Sequence, residues 1–268
     1  MIDLHAHILP GLDDGAPDLG EALSMAWLAV EDGIEFLVAT PHVMEGEYST
    51  DREAILSAVE QLNSHLDKYQ IPLKILPGAE YRLEPDLPER LARGELVTLN
   101  DGGRYLLVEL PPAFVPPYME RVLYELQLQG VTPIIAHPER NASFCRHPDL
   151  LQVLVCRGVP AQVTAGSLTG MFGREAARMA IYFLEHGLAH FVASDAHSST
   201  GRTPVLSPAL AEVKRRLGAD AAWKLKDNSR RVLEGRNIAI EAVGKVPTGR
   251  RGSLRAFLEK FVSKRRGG

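Results

Sequence analysis

The sequence predicts a seven-stranded (β/α)7 barrel of the TIM-like kind within the α/β class, and three observations carry that expectation. Short apolar, β-branched runs recur roughly every 25 to 35 residues, with helical patterns between them, as repeated βα units require. Polar residues able to bind metal stand at or just beyond the ends of those runs. Barrels keep their interior packed and leave the loops after the strands free for chemistry, so ligands scattered along the chain collect on one rim. The length of 268 residues, 45% of them hydrophobic, suits one large α/β domain with a full core.

The expected strands are residues 2–4, 36–40 before His42, 74–77 before Glu80, 105–108 before Glu109, 134–136 before His137, 162–164, and 191–193 before Asp195. Between the first two, residues 18–32 carry Leu19, Leu23, Trp27 and Val30 as an apolar helical stripe that Gly33 ends. Residues 52–69, 117–129, 174–185 and 208–217 read as helices in the same way. The loop 45–50, with Tyr48, is a candidate substrate contact beside the site.

No run approaches the roughly 18 apolar residues needed to span a bilayer. The first strand begins at once, so no signal peptide and a cytoplasmic location are expected. Cys145 and Cys156 lack CxxC spacing and read as reduced thiols. Neither begins a Cys-x5-Arg loop, because Leu151 and Gln162 stand where the arginine would be, and this disfavours a cysteine phosphatase.

Charge divides the chain into a barrel, residues 1–243, and a basic tail, residues 244–268. The tail sets eight basic residues against Glu259 alone, giving +7 and leaving −11 for the rest of a chain whose net charge is −4. Residues 244–252 read as a linker with Pro247 and three glycines. Beyond it Leu254, Phe257, Leu258, Phe261 and Val262 fall on one face of a short amphipathic helix, suited to an anionic membrane, a partner or the barrel itself. The acidic barrel opposes nucleic-acid binding.

The candidate metal ligands are His5, His7, Asp14, His42, Glu80, Glu109, His137, Asp195 and His197. His5 and His7 lie two apart in an extended segment, which turns both imidazoles to one side. Four carboxylates and no thiolate make the set mixed N/O, suited to Mn, Fe or Zn at a hydrolytic centre. Nine ligands are too many for one ion. Two or three clustered divalent ions would use them, with a carboxylate such as Glu80 bridging. His65, His147, His186 and His190 lie away from this pattern and read as structural residues, His186 in a last helical turn before Gly187.

Asp3-Leu4-His5-Ala6-His7-Ile8-Leu9-Pro10-Gly11 with Asp13-Asp14-Gly15, then Ala39-Thr40-Pro41-His42, Gly78-Ala79-Glu80, Ile135-Ala136-His137-Pro138-Glu139-Arg140 and Ser194-Asp195-Ala196-His197 resemble the polymerase-and-histidinol-phosphatase superfamily. Within it they are similar to the bacterial metal-dependent protein-tyrosine phosphatases encoded with capsule and exopolysaccharide genes. The resemblance covers roughly residues 1–240, and all nine ligand positions of its pattern are filled. It implies a trinuclear centre, often Mn-dependent, and hydrolysis of phosphotyrosine on a membrane-anchored tyrosine autokinase that controls polysaccharide assembly. It would place the protein at the inner face of the membrane, and it is compatible with an oligomer. Asp227-Asn228-Ser229 departs from the usual Asn-Pro, and the basic tail lies outside the shared region.

Clustered divalent ions lower the pKa of bound water and neutralise phosphoryl oxygens, so no enzyme nucleophile is needed. Arg140, just after the His137 turn, and Arg202, five residues after His197, are the candidate phosphate clamps, because guanidinium forks match phosphate oxygens. Alternative readings are a small-molecule phosphatase such as a histidinol-phosphate phosphatase, a phosphodiesterase or exonuclease of the same superfamily, and a binding protein with a dead site. The last requires missing ligands.

Overall fold

A computed structural model describes residues 1–238 and 240 of the chain. Its strands are β1 (Ile2–Ala6), β2 (Phe36–Ala39), β3 (His42–Val43), β4 (Lys74–Pro77), β5 (Glu80–Arg82), β6 (Tyr105–Glu109), β7 (Thr132–Ala136), β8 (Ala161–Thr164) and β9 (Phe191–Ala193). Every strand pairing is parallel. One sheet runs β1-β2-β4 and a second runs β3-β5-β6-β7-β8-β9. The α/β class with parallel sheets is therefore as expected, and the described residues form nine strands in sheets of three and six.

The extra strands, β3 and β5, lie just beyond the expected strands 36–40 and 74–77 and belong to the second sheet. Ala39 pairs with Pro77 in the first sheet, and three residues later His42 pairs with Glu80 in the second. Prolines 41 and 77 have no N–H to give a ladder, so pairing lapses at one level on both neighbours. Glu80 N donates to Pro41 O at 3.0 Å where the pairing resumes. Beyond β9 the chain returns to β1: Asp195 N donates to His5 O and His7 N to Ala196 O, each at 2.8 Å.

The helices are α1 (Leu19–Glu31), α2 (Arg52–Lys68), α3 (Leu87–Ala92), α4 (Met119–Leu128), α5 (Ala142–Arg146), α6 (Pro148–Cys156), α7 (Ala165–Leu168), α8 (Gly173–Glu185), α9 (Ser207–Leu217) and α10 (Ala219–Leu233). Asp18 and Asp51 cap α1 and α2, accepting from Glu21 N and Ala54 N. The buried face of α1 differs from the expected stripe. Ala22, Met25, Ala26 and Ala29 are buried, whereas Trp27 is 47% exposed and Leu19, Leu23 and Val30 are only partly buried. The buried face of α1 is thus three alanines and Met25, with the larger side chains at its flanks.

α10 falls outside the expected helices because its buried positions, Ala222, Leu225, Ser229 and Val232, carry only two large apolar side chains. It packs against β1 and β9. Val232 joins Leu4, Val38, Leu107, Ile134 and Phe191 in a small core cluster, separate from the main one between strands and outer helices. Burying side chains of this size contributes about 1.5 to 3 kcal/mol each, which fixes the strand ends that carry the polar residues. Among the described residues no helix is long and apolar enough to cross a membrane. The basic tail, residues 244–268, lies outside the described residues.

Candidate metal centre

The nine candidate ligands, spread from residue 5 to residue 197, come together at the C-terminal ends of the strands. Eight fall into three groups whose donor atoms lie within 4.8 Å of one another: His7, Asp14, His42 and His197; His5, His7, Glu80 and Asp195; and His42, Glu80 and Glu109. Any two of these groups share a residue: His7, His42 or Glu80. His137 stands outside all three, with its Nε2 2.9 Å from Glu80 Oε1 and 3.9 Å from Glu109 Oε2.

Glu80 sits at the middle. Its Oε2 is 3.2 Å from His5 Nε2, 3.4 Å from His7 Nε2 and 3.2 Å from His42 Nδ1. It is fully buried, yet Oε2 makes no hydrogen bond, and neither do the buried His42 Nδ1 and His197 Nε2. Buried polar atoms are normally paired, since an unpaired one costs about 1 to 3 kcal/mol. Imidazole nitrogens and carboxylate oxygens without partners, gathered at one point, are what a divalent ion needs, so the residues present fit a metal.

The far side of each ring supports the same reading. His5 Nδ1 meets Gln162 Oε1 at 3.0 Å, His7 Nδ1 meets Asp13 Oδ2 at 2.6 Å, and His197 Nδ1 meets the Asp195 carbonyl at 3.0 Å. With a cation in place, each acceptor would hold the proton on Nδ1 and turn Nε2 to the centre as a lone-pair donor. Asp13 also accepts from His42 N at 2.9 Å and from Gly15 N at 2.9 Å, so one carboxylate ties the 11–15 loop to two histidines.

Electrostatics explain why charge must enter this pocket. Burial pushes Glu109 upward, reinforced by Glu80 beside it. Burial opposes ionisation of Glu80 and Asp195 too, but the surrounding histidines hold both well below the carboxylate range. The His197 ring beside it, with Nε2 3.3 Å from Asp14 Oδ1, brings Asp14 down to about 2. Burial brings His42 down to about 4, leaving a neutral imidazole able to ligate. It acts the same way on His7, yet the Asp13, Asp195 and Glu80 contacts overcome it and raise His7 well above the usual range. The carboxylates therefore demand positive charge from protons or from cations.

Two of the nine have left-handed backbones, His137 at φ +33° and Asp195 at φ +53°. Such conformations cost non-glycine residues of order 1 to 3 kcal/mol and cluster where a site needs them. Loop 11–15 is constrained differently. A Cβ on Gly15 would lie 2.0 Å from His7 O and 2.5 Å from His7 Cβ, on the residue directly after β1. Gly15→Ala should therefore displace His7 or Asp14 and lower metal content and activity together. Elemental analysis and kinetics matching wild type would show instead that the loop yields.

Three arginines border the centre. Arg140 Nη1 and Arg202 Nη2 both pair with Asp195 Oδ2, the second at 2.5 Å. Asp195 Oδ1 faces His5 and His7 at 3.3 and 3.5 Å. The third, Arg82, bonds Glu109 Oε1 through Nε and Nη2 at 3.1 and 3.0 Å. They line a cavity of about 220 Å³ with Met44, Glu47 and Tyr48, whose ring stacks on His42 with centroids 5.6 Å apart. Glu139 accepts from Thr164 N and Ser167 Oγ at 2.9 and 2.7 Å, anchoring the turn that presents Arg140.

The sequence alone assigns no role to Arg82, Asp13, Gln162 or Glu139. Arg82 carries a signal, since it lies two residues after Glu80 on an extended segment. Gln162 lies inside an expected strand and carries none. The four remaining histidines lie apart. Burial holds His190 down to about 4, His186 Nδ1 meets Tyr182 O at 2.9 Å, His65 is in the last turn of α2, and His147 precedes α6. Cys145 and Cys156 are free thiols, and burial pushes Cys145 up to about 11.

The family model for capsular polysaccharide synthesis proteins CpsB/CapC matches residues 1–234. The tyrosine-protein phosphatase YwqE of Bacillus subtilis (strain 168) is 42% identical over 238 residues, covering 89% of this chain and 93% of its own length. The putative tyrosine-protein phosphatase CapC of Staphylococcus aureus is 34% identical over 239 residues, again covering 89% and 93%. A crystal structure from the work on YwqE of Bacillus subtilis and CpsB of Streptococcus pneumoniae, metal-dependent tyrosine phosphatases, matches with a TM-score of 0.89 at 41% identity, covering 92% of this chain and 99% of that one. With the matched model spanning both sheets and every candidate ligand, the chain belongs to the CpsB/CapC family of capsular polysaccharide synthesis proteins.

Proposed function

We propose that this chain is a metal-dependent tyrosine-protein phosphatase that hydrolyses phosphotyrosine on a protein substrate in capsule or exopolysaccharide synthesis. The observation that carries the reading is the overlap of the three donor groups through His7, His42 and Glu80, with arginines at the cavity mouth. The nine residues would hold two or three divalent ions, Mn before Fe or Zn, with Glu80 bridging and His137 completing the set. When bound, the ions supply Lewis acidity for the phosphoryl oxygens and lower the pKa of water. The two sheets are read as one distorted seven-stranded barrel interrupted at prolines 41 and 77, a reading that the return of residues 195–196 to β1 supports.

The chain's own residues do the positioning. Arg140 and Arg202 take the phosphoryl oxygens through forked N–H donors. Phenolate, with a parent pKa near 10, leaves with less protonation than an alkoxide needs, which favours phosphotyrosine over phosphoserine. Arg140→Ala or Arg202→Ala should cost roughly 2 to 4 kcal/mol in kcat/KM, the scale for removing one preorganised donor. Metal content and Tm should barely change. A variant that loses metal or unfolds would assign the arginine to structure.

The fitting substrate is a membrane-anchored tyrosine kinase, met at the inner face of the membrane. Domain limits of 1–243 for the barrel and 244–268 for the tail accompany that proposal. Near an anionic surface each Lys or Arg adds about 1 kcal/mol of attraction, so the +7 tail would concentrate enzyme at the membrane. A truncation ending at residue 248 should keep full activity on p-nitrophenyl phosphate and lose salt-sensitive binding to anionic vesicles. Unchanged vesicle binding would refute the tether. Comparing rates on a phosphotyrosine peptide and on histidinol phosphate tests the substrate class, and a preference for the second would overturn it.

A further inference from the structure

Phe172 meets both candidate phosphate clamps. Its ring centroid lies 4.6 Å from Arg140 Cζ and 5.6 Å from Arg202 Cζ, both within cation–π range. The three residues come from three consecutive strand ends: Arg140 after β7, Phe172 between α7 and α8 after β8, and Arg202 after β9. We infer that Phe172 is a positioning residue that holds Arg140 and Arg202 in place for the phosphoryl group of the substrate. The inference rests on the reading of those arginines as phosphate clamps.

Both guanidinium groups also pair with Asp195 Oδ2. Asp195 belongs to a candidate ligand group, so a cation would compete with the arginines for its carboxylate, and an incoming phosphate would compete with that carboxylate for the arginines. A salt bridge occupies N–H donors, whereas contact with the electron-rich face of a ring occupies none. Phe172 thus leaves the guanidinium N–H groups available to phosphate oxygens. An unrestrained arginine side chain would also lose much rotamer entropy on binding, and a fixed ring removes part of that loss beforehand.

The backbone around Phe172 is built to keep the ring there. A Cβ on Gly166 would come within 2.9 Å of Phe172 Cε2 and 3.1 Å of Met171 Sδ, so glycine makes the seat for this turn. Met171 N donates to Gly166 O at 2.8 Å, and Gly173 N to Gly170 O at 3.0 Å. Ser167 Oγ donates to the buried Glu139, which directly precedes Arg140. The Phe172 turn and the Arg140 turn are therefore fastened to each other.

The test measures kcat/KM on a phosphotyrosine peptide and the affinity for inorganic phosphate by calorimetry, on metal-loaded full-length protein. Phe172→Leu fills the space without a ring, and Phe172→Tyr keeps the ring. Phe172→Leu should weaken phosphate binding and kcat/KM roughly ten-fold, the scale of removing two cation–π interactions together, with metal content and Tm unchanged. Phe172→Tyr should restore both quantities. In an Arg140→Ala background the Phe172→Leu effect should shrink, because the two share one interaction. If Phe172→Leu behaves as wild type while Arg140→Ala and Arg202→Ala lose phosphate affinity, the positioning role is overturned and the clamp reading stands. If neither arginine variant weakens phosphate binding, the clamp reading fails and the inference falls with it.

Discussion

His5→Ala, Glu80→Ala and His137→Ala should each lower turnover by orders of magnitude while the circular dichroism spectrum stays native. The strand ends are held by buried apolar residues such as Leu4, Leu107 and Ile134, which these substitutions leave untouched. What disappears is local. His5 offers Nε2 to the centre, Glu80 joins two donor groups, and His137 lies on Glu80 Oε1. Glu80→Ala should have the largest effect, since three imidazole nitrogens lie within 3.4 Å of its Oε2. Cys145→Ser and Cys156→Ser serve as controls. With burial pushing the Cys145 thiol up to about 11, little nucleophilic thiolate exists near neutral pH, and both variants should keep nearly full activity. A folded but inactive cysteine variant would point to a thiolate mechanism instead.

Chelation should abolish phosphatase activity, and added Mn should restore it. Ligand atoms so crowded cost free energy when no cation lies among them, because buried carboxylates oppose their own ionisation and one another's. Metal that binds only the folded chain also stabilises it by mass action. The chelated protein should therefore melt at a lower temperature than the reloaded one, with a difference that grows with metal concentration. Full activity in exhaustively chelated protein, at an unchanged Tm, would contradict this.

Much of this site was legible in the sequence because two simple periodicities carry it. Strand runs at βα spacing place residues from 5 to 197 at one end of the sheets, and His-x-His puts two imidazoles on one side. The failures have physical causes. β3 and β5 are two and three residues long, too short to stand out as apolar runs of their own. On α1 the largest apolar residues mark one stripe, while the buried face is Ala22, Met25, Ala26 and Ala29. Gln162 and Phe172 meet partners far apart in sequence, His5 and Arg202, and no local pattern marks such pairs.

A cluster that holds more than one ion is the claim on which the rest depends, because three donor groups that overlap in pairs are more than one cation can use. Elemental analysis of purified, fully active protein, expressed as divalent ions per chain, tests it most directly. The expected value is above one, approaching two or three in protein reloaded with Mn. A single ion per chain, or none, in protein that retains full activity would contradict it.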